Sequence, residues 1–100
     1  MDITVKELKE KLDNAADIVL IDVREPYERA EFNIGGQLIP IGQFRNALPN
    51  LDAPKDKEVV VYCRSGKRSG LAQQFMQQEG YQKVRNLTGG MLAWMDEYGG

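Results

Sequence analysis

The sequence predicts an α/β fold in which helices sandwich a mostly parallel sheet. Two apolar, β-branched runs, at 18–23 and 58–63, are continuous, which is typical of strands buried on both faces of a parallel sheet. Segments with a helical spacing of apolar residues alternate with such runs. This alternation over 100 residues favours a small parallel α/β domain.

Local signals place the elements of the first half. Thr4 and Glu7 form a capping box, which predicts that a helix begins there and ends near residue 12. The strand at 18–23 follows. Pro26 suits the first turn of a second helix, because its missing N–H costs nothing there. A short strand is expected at 37–40.

The second half repeats the alternation. A helix is expected at 43–48, and the proline that follows should end it. The strand at 58–63 is the clearest in the sequence, and the helix at 69–79 ends before a glycine that suits the position just past a helix. A strand at 83–87 and a last helix after Gly89 complete the prediction.

The residue counts exclude several kinds of chemistry. The chain has no histidine, so it carries no Ser-His-Asp triad, no Cys-His dyad and no histidine-ligated zinc site. Its one cysteine, Cys63, excludes an intrachain disulfide, a CxxC redox pair and a multi-cysteine metal cluster. We therefore expect no metal and no cofactor, and covalent chemistry that relies on one thiol, on carboxylates, on lysines or on hydroxyls.

We expect a single domain over residues 1–100 that is soluble and cytoplasmic. The length suits one core, and the sequence contains no linker or repeat. A net charge of −2 gives no reason to expect nucleic acid or an acidic membrane as a partner. No apolar run approaches the roughly 20 residues that span a bilayer, and the N-terminus does not resemble a signal peptide. A lone thiol fits a reducing compartment.

The chemistry concentrates in one loop between the strand at 58–63 and the helix after it. This loop consists of Cys63, Arg64, Ser65, Gly66, Lys67, Arg68 and Ser69. Three of the chain's 13 basic residues lie in it, although the net charge of the chain is −2. Amides at a helix N-terminus, the helix dipole and these cations all favour a thiolate over a thiol. The glycine allows the backbone to curl.

Two other interpretations of the loop remain open. A cysteine that closes a buried strand is most often a small apolar core residue. The loop can also bind phosphate or sulfate with the thiol as a bystander. Three neighbouring cations and a glycine turn favour a reactive thiolate in an anion pocket, because a structural cysteine gains nothing from them.

A thiolate in an anion pocket suits attack on a phosphate ester or on a sulfane-sulfur donor such as thiosulfate. Cysteine phosphatases use a C-x5-R loop that encircles a phosphoryl group, whereas Cys63 and Arg68 form a shorter C-x4-R. Cleavage of a phosphate ester also commonly needs an acid that protonates the leaving oxygen, and sulfite leaves without one. Both points favour sulfur transfer over a phosphatase or an arsenate reductase.

Four segments resemble the single-domain rhodanese-like sulfurtransferases, in the order of that family and over nearly the whole chain. The loop at 63–69 is similar to the family's CRSGxRS active-site loop. The segment 21–28 resembles DVRxxxE, 38–40 resembles an N-I-P strand, and 87–94 resembles LxGGxxAW.

The resemblance implies a rhodanese fold with a five-stranded sheet and an active loop after the fourth strand. It also implies a ping-pong cycle through a persulfide on Cys63. The donor would be a small thiosulfate-like anion, and the acceptor cyanide, a thiol or a sulfur-accepting protein. By this likeness Arg64 and Lys67 attract the donor. Loop amides through Ser69 hold the persulfide, with the Ser65 and Ser69 hydroxyls as further donors.

Residues outside the loop are expected to support it. Asp22 and Arg24 are expected to be structural, tied by ion pairs at the end of their strand. Arg68 either reaches the substrate or pairs with Asp22 or Glu28 as a brace. Asn33 stands where many family members have histidine, retains hydrogen bonding, and is expected to leave catalysis intact.

Two rival functions accompany the transferase. One is a sulfur-relay protein that receives a persulfide from a partner and has little thiosulfate activity of its own. The other is a non-catalytic module that binds an anion or a partner. Family members of the second type commonly lack the cysteine that this chain retains.

Overall fold

A parallel sheet forms the centre of the computed structural model, which describes residues 1–99. Its strands are β1 (Val19–Asp22), β2 (Gln37–Leu38), β3 (Glu58–Tyr62) and β4 (Lys83–Asn86). They lie in the order β2-β1-β3-β4, and every pairing is parallel. The two central strands, β1 and β3, are almost entirely buried, as their continuous apolar runs predict.

The expected five-stranded sheet is not confirmed, because the fifth position is reduced to a single bridge. Ile3 lies parallel to Leu87 at the edge beside β4, and its amide donates to the Asn86 carbonyl over 3.0 Å. The pairing extends no further because Thr4 caps the helix α1 (Val5–Asp13), whose backbone cannot join a sheet. The described residues therefore form four strands.

Helices cover both faces of this sheet. Besides α1 they are α2 (Pro26–Glu31), α3 (Ile41–Ala47), α4 (Lys67–Gln78) and α5 (Gly90–Tyr98), with a 3₁₀ turn at Leu48–Asn50. One face packs against α3 and α4 through Phe44 and Met76. The other face packs against α1 and α5 through Leu8 and Met91. No helix in the described part of the chain is long and apolar enough to cross a bilayer.

Several element ends differ from the predicted ones for local reasons. The capping box of α1 is half formed: the Thr4 hydroxyl accepts from the Glu7 amide over 3.1 Å, but the Glu7 carboxylate bonds Arg85 instead. Helix α3 ends at Ala47, and Pro49 lies within the 3₁₀ turn rather than after the helix. Helix α4 begins before residue 69 because its cap is Gly66, not a residue further along.

The carboxyl ends of three neighbouring strands meet at one edge of the sheet. Asp22 pairs with Tyr62, and Val61 pairs with Asn86. Cys63 follows β3 directly, so its backbone lies between the ends of β1 and β4. This is the edge at which open parallel sheets bind ligands.

Helix α4 buries only part of its predicted apolar face. Ala72 and Met76 are fully buried, and both belong to the core cluster between the sheet and α3. Leu71 is 44% exposed, and Phe75 is half-buried with the Arg45 guanidinium 5.2 Å from the centre of its ring. Met76 therefore fastens α4 to the sheet more firmly than Leu71 does.

Replacement of Met76 by alanine should lower the free energy of unfolding by about 2–5 kcal/mol, because it leaves a cavity in a packed core. Leu71→Ala on the same helix is the control, and its loss should stay below about 1 kcal/mol. Urea unfolding followed by circular dichroism measures both. Equal losses would contradict this packing.

Candidate active site

Cys63 is buried at the centre of the strand-end edge, with only 1% of its surface exposed. Its Sγ accepts hydrogen bonds from the Gly66 amide at 3.1 Å, from the Ser69 amide at 3.4 Å and from the Ser69 hydroxyl at 3.3 Å. Gly66 adopts φ +102, a conformation that side chains disfavour, and this turn aims its amide back at the sulfur.

These donors change the acidity of the thiol. Burial raises the pKa of the Cys63 thiol, but hydrogen bonds from the hydroxyl and amide of Ser69 and from the amides of Gly66 and Ser65 outweigh it. The pKa therefore lies below its ordinary value of 9.0. The loop cations, which the sequence also predicts to favour the thiolate, are not among the main causes of this lower pKa; these are backbone amides and one hydroxyl.

The N-terminus of α5 binds the carbonyls of the first two loop residues. The Met91 amide donates to the Cys63 carbonyl over 2.9 Å, and the Leu92 amide donates to the Arg64 carbonyl over 3.0 Å. Gly90 makes this approach possible, since a Cβ at that position would lie 2.5 Å from both carbonyl oxygens. Because the carbonyl and the N–H of one peptide point in opposite directions, the bond to the Arg64 carbonyl turns the Ser65 amide toward the sulfur. This contact gives Gly90, the second glycine of the 87–94 segment, a physical role.

Arg68 lies on the first turn of α4 and points to α2. Its guanidinium binds the Glu28 carboxylate through two parallel bonds of 2.7 and 2.9 Å, and no bond to Asp22 accompanies them. The hydrogen bond from Arg68 is the main reason why the pKa of Glu28 is about 2, far below its ordinary 4.5. Burial acts in the opposite direction and raises this pKa, but its effect is smaller. Glu28 also accepts from the Glu25 amide and so caps α2.

Asp22 and Arg24 form a buried ion pair at the end of β1. Nη2 of Arg24 lies 2.9 Å from Oδ2 of Asp22, and Nε lies 2.9 Å from Oδ1. The guanidinium also donates to the Phe32 carbonyl at the end of α2 over 2.8 Å. Each polar atom of the pair thus has a partner, as buried charges require. The pair ties β1 to α2.

The other loop side chains face outward. Arg64, Ser65 and Lys67 are exposed, and within residues 1–99 neither cation has an ion-pair partner. Of the two hydroxyls expected as donors, only that of Ser69 reaches Sγ. Asn33 lies in the turn after α2, where it bonds the Arg29 carbonyl at 3.1 Å and the Gly35 amide at 2.8 Å. It therefore shapes that turn and makes no bond to the loop.

A residue that the sequence analysis did not select joins the site from β4. The Asn86 amide nitrogen donates to the Gly66 carbonyl over 2.9 Å, and the Ser69 hydroxyl donates to Oδ1 of Asn86 at 2.5 Å. The signal that could have indicated Asn86 is its position at the end of a predicted strand beside the one that delivers Cys63.

A cleft of about 370 Å³ opens beside the loop, between α2 and α5. Arg64 lines it together with Tyr27, Leu92 and Met95, three apolar side chains that are exposed. A larger groove of about 640 Å³ between α3 and α4 contains no loop residue. Within residues 1–99 no three acidic or cysteine side chains lie close enough together to hold a metal ion.

Fold and site together define a parallel α/β domain with one activated cysteine in an amide-lined loop at the carboxyl edge of its sheet. Residues 4–97 match the family model of the rhodanese-like domain. The chain belongs to the rhodanese-like domain family.

Relatives of the chain include proteins named as a sulfurtransferase, a putative sulfurtransferase and a putative sulfur carrier protein. The chain is 38% identical over 94 residues to a sulfurtransferase of Allochromatium vinosum, which covers 93% of this chain and 86% of the relative. It is 40% identical over 97 residues to the putative sulfurtransferase YtwF of Bacillus subtilis, covering 96% and 91%. It is 32% identical over 94 residues to the putative sulfur carrier protein YrkF of the same organism, covering 93% and 50%.

Among solved structures, the human single-domain sulfurtransferase TSTD1 superposes with a TM-score of 0.83 at 27% identity and covers 96% of each chain. The protein is therefore a rhodanese domain of the sulfurtransferase family. The parallel α/β fold expected from the sequence is confirmed by this superposition.

The Glu28–Arg68 pair should make stability depend on acid pH. Because the pKa of Glu28 is about 2 in the folded protein and 4.5 ordinarily, the pair stabilises the fold fully above pH 4.5, and this stabilisation is lost as pH falls toward 2. Glu28→Gln should therefore lose less stability than the wild type over that interval. Urea unfolding at a series of pH values measures the slope.

Glu31→Gln provides the matched control, because Glu31 is an exposed carboxylate on the same helix. This variant should keep the wild-type slope. A slope for Glu28→Gln that equals the wild-type slope would show that the pair does not set the acid sensitivity.

Proposed function

We propose that the protein transfers a sulfane sulfur through a persulfide on Cys63. The observation that supports this most directly is a buried sulfur with three hydrogen-bond donors around it. The Cys63 thiolate attacks the outer sulfur of thiosulfate, so that a new S–S bond forms, the S–S bond of thiosulfate breaks, and its electron pair leaves with sulfite. Cyanide or a thiolate then takes the outer sulfur and returns Cys63 to the thiolate.

The exposed charges support an anionic donor. Arg64 and Lys67 carry positive charge at the rim of the loop, where we assign them the attraction of a thiosulfate-like dianion. Arg68 is engaged by Glu28, and we assign it to bracing the loop rather than to contact with substrate. We assign the buried ion pair at the end of β1 to the same supporting role.

A thiol, either on a small molecule or on a protein, fits the cleft beside the loop best as the sulfur acceptor. The cleft beside Arg64 has about 370 Å³ and exposed apolar walls, which suit the organic part of a thiol better than cyanide alone. We further propose that residues 1–100 act as one domain, without a cofactor, in the reducing cytoplasm, where a lone thiol persists.

A sulfur relay is the second candidate. The relative YrkF, whose name is putative sulfur carrier protein, supports it. In that case the same persulfide would form on Cys63, but a protein partner would supply the sulfur and thiosulfate would react slowly.

Incubation with thiosulfate should add one sulfur atom, about 32 Da, to the intact mass of the protein. The gain should be absent in Cys63→Ser, because Cys63 is the only cysteine in the chain. Cyanide should remove the added mass and release thiocyanate. Intact-protein mass spectrometry and a colorimetric thiocyanate assay measure both steps.

The outcomes of this experiment separate the candidates. A gain from thiosulfate supports the transferase, and a gain only from a protein persulfide supports the relay. If no sulfane donor adds mass to the wild type, both proposals are wrong.

Lys67→Ala should raise the KM for thiosulfate about 3–10-fold, since removing one solvated charge near a dianion costs about 1 kcal/mol. The KM for an uncharged trisulfide should change much less. Lys83→Ala is the control, because this exposed lysine lies at the opposite end of β4. Equal increases for the charged and uncharged donors would argue against anion capture by Lys67.

A further inference from the structure

The Ser69 hydroxyl has one proton and two acceptors within reach. Its oxygen lies 3.3 Å from Cys63 Sγ and 2.5 Å from Oδ1 of Asn86. Ser69 is fully buried, so water does not supply an alternative partner. A hydroxyl donates one hydrogen at a time, so a bond to one acceptor withdraws the proton from the other.

The orientation of the Asn86 amide is fixed independently of Ser69. Its nitrogen donates to the Gly66 carbonyl over 2.9 Å, and reversing the amide would place two oxygens against each other. Oδ1 therefore always faces the Ser69 hydroxyl as an acceptor. Because Gly66 itself donates to Sγ, Asn86 contacts both residues that surround the sulfur.

We propose that Asn86 is a positioning residue that competes with Cys63 for the proton of the Ser69 hydroxyl. While Cys63 is a neutral thiol, the hydroxyl donates to Asn86, the nearer acceptor. When Cys63 ionises, the hydroxyl rotates toward the sulfur, because a bond to a charged acceptor is stronger, and Oδ1 of Asn86 loses its donor. Asn86 thereby limits how far Ser69 stabilises the thiolate.

Charged groups on the neighbouring elements are held in pairs or lie at the surface. Asp22 and Arg24 pair at the end of β1, and Glu28 pairs with Arg68 between α2 and α4. The loop itself contributes the exposed cations at positions 64 and 67. The α5 residues that bond the loop, Met91 and Leu92, are uncharged.

None of the replacements in the test, Ser69→Ala, Asn86→Ala and Asn86→Leu, introduces or removes a charge. The contribution of these charged groups to the titration of Cys63 is therefore common to all the proteins compared, and it cancels when the effect of Ser69 is measured in each background.

This inference rests on the proposed function, since the thiol that it concerns is the proposed sulfur carrier. Its test uses alkylation by iodoacetamide, a neutral reagent that needs no sulfur donor. Because Cys63 is the only cysteine, the rate reports on this thiol alone. Failure of the proton competition is thus distinguishable from failure of sulfur transfer, which the mass gain tests.

The experiment measures the pKa of Cys63 from the pH dependence of alkylation, with and without Ser69→Ala, in three backgrounds. In the Asn86→Ala background, the Ser69→Ala change should raise the pKa by about 0.5–1 unit more than in the wild type, which corresponds to one freed hydrogen bond. In the Asn86→Leu background, which removes the same acceptor but keeps the side-chain volume, the increase should match that in the Asn86→Ala background.

A residue that only supports the loop would shift the pKa in every background without changing the effect of Ser69. Equal effects of Ser69→Ala in the three backgrounds would therefore overturn the proposal, and so would the reverse order. Circular dichroism confirms that each variant is folded. If Asn86→Ala does not fold, the comparison between the wild type and Asn86→Leu tests the proposal by itself.

Discussion

A sulfur buried at the end of a central strand has to be solvated by the protein itself, and the architecture around Cys63 meets this requirement with backbone amides. The amides of Gly66 and Ser69 point at the sulfur because Gly66 takes a left-handed turn. The carbonyls of Cys63 and Arg64 are bonded to the start of α5. Fixed dipoles of this kind favour a negative charge without reorganising when it forms, which is the condition for a stable thiolate.

The positively charged side chains near the site have two different roles. Arg68 is paired with Glu28 and Arg24 with Asp22, so that these guanidinium groups fasten helix α2 to the sheet and to α4. The buried Asp22–Arg24 pair contributes geometry more than net stability, because desolvation offsets much of its attraction. The cations at the rim of the loop stay solvated and are free to meet a ligand.

The order of strands and helices and the position of Cys63 could be predicted because each depends on short-range patterns. The 58–63 run reads as a buried strand whatever surrounds it, and the loop cations are visible in the sequence. Asn86 could not be predicted in the same way. Its contacts with Gly66 and Ser69 depend on the register between β3 and β4, and no local pattern specifies that register. The expected fifth strand is absent from the described residues for a related reason. Thr4 begins helix α1, so the pairing of Ile3 with Leu87 cannot continue into a strand.

The close contact at Gly90 makes the acidity of Cys63 a non-local property. The carbonyls of Cys63 and Arg64 have their partners at the start of α5, so the shape of the loop depends on how α5 packs against it. The donors to Sγ lie in the loop after β3 and in the first turn of α4, whereas the partners of the first two loop carbonyls lie in α5. A substitution at the start of α5 therefore reaches Cys63 through the loop backbone, without any side-chain contact to the sulfur.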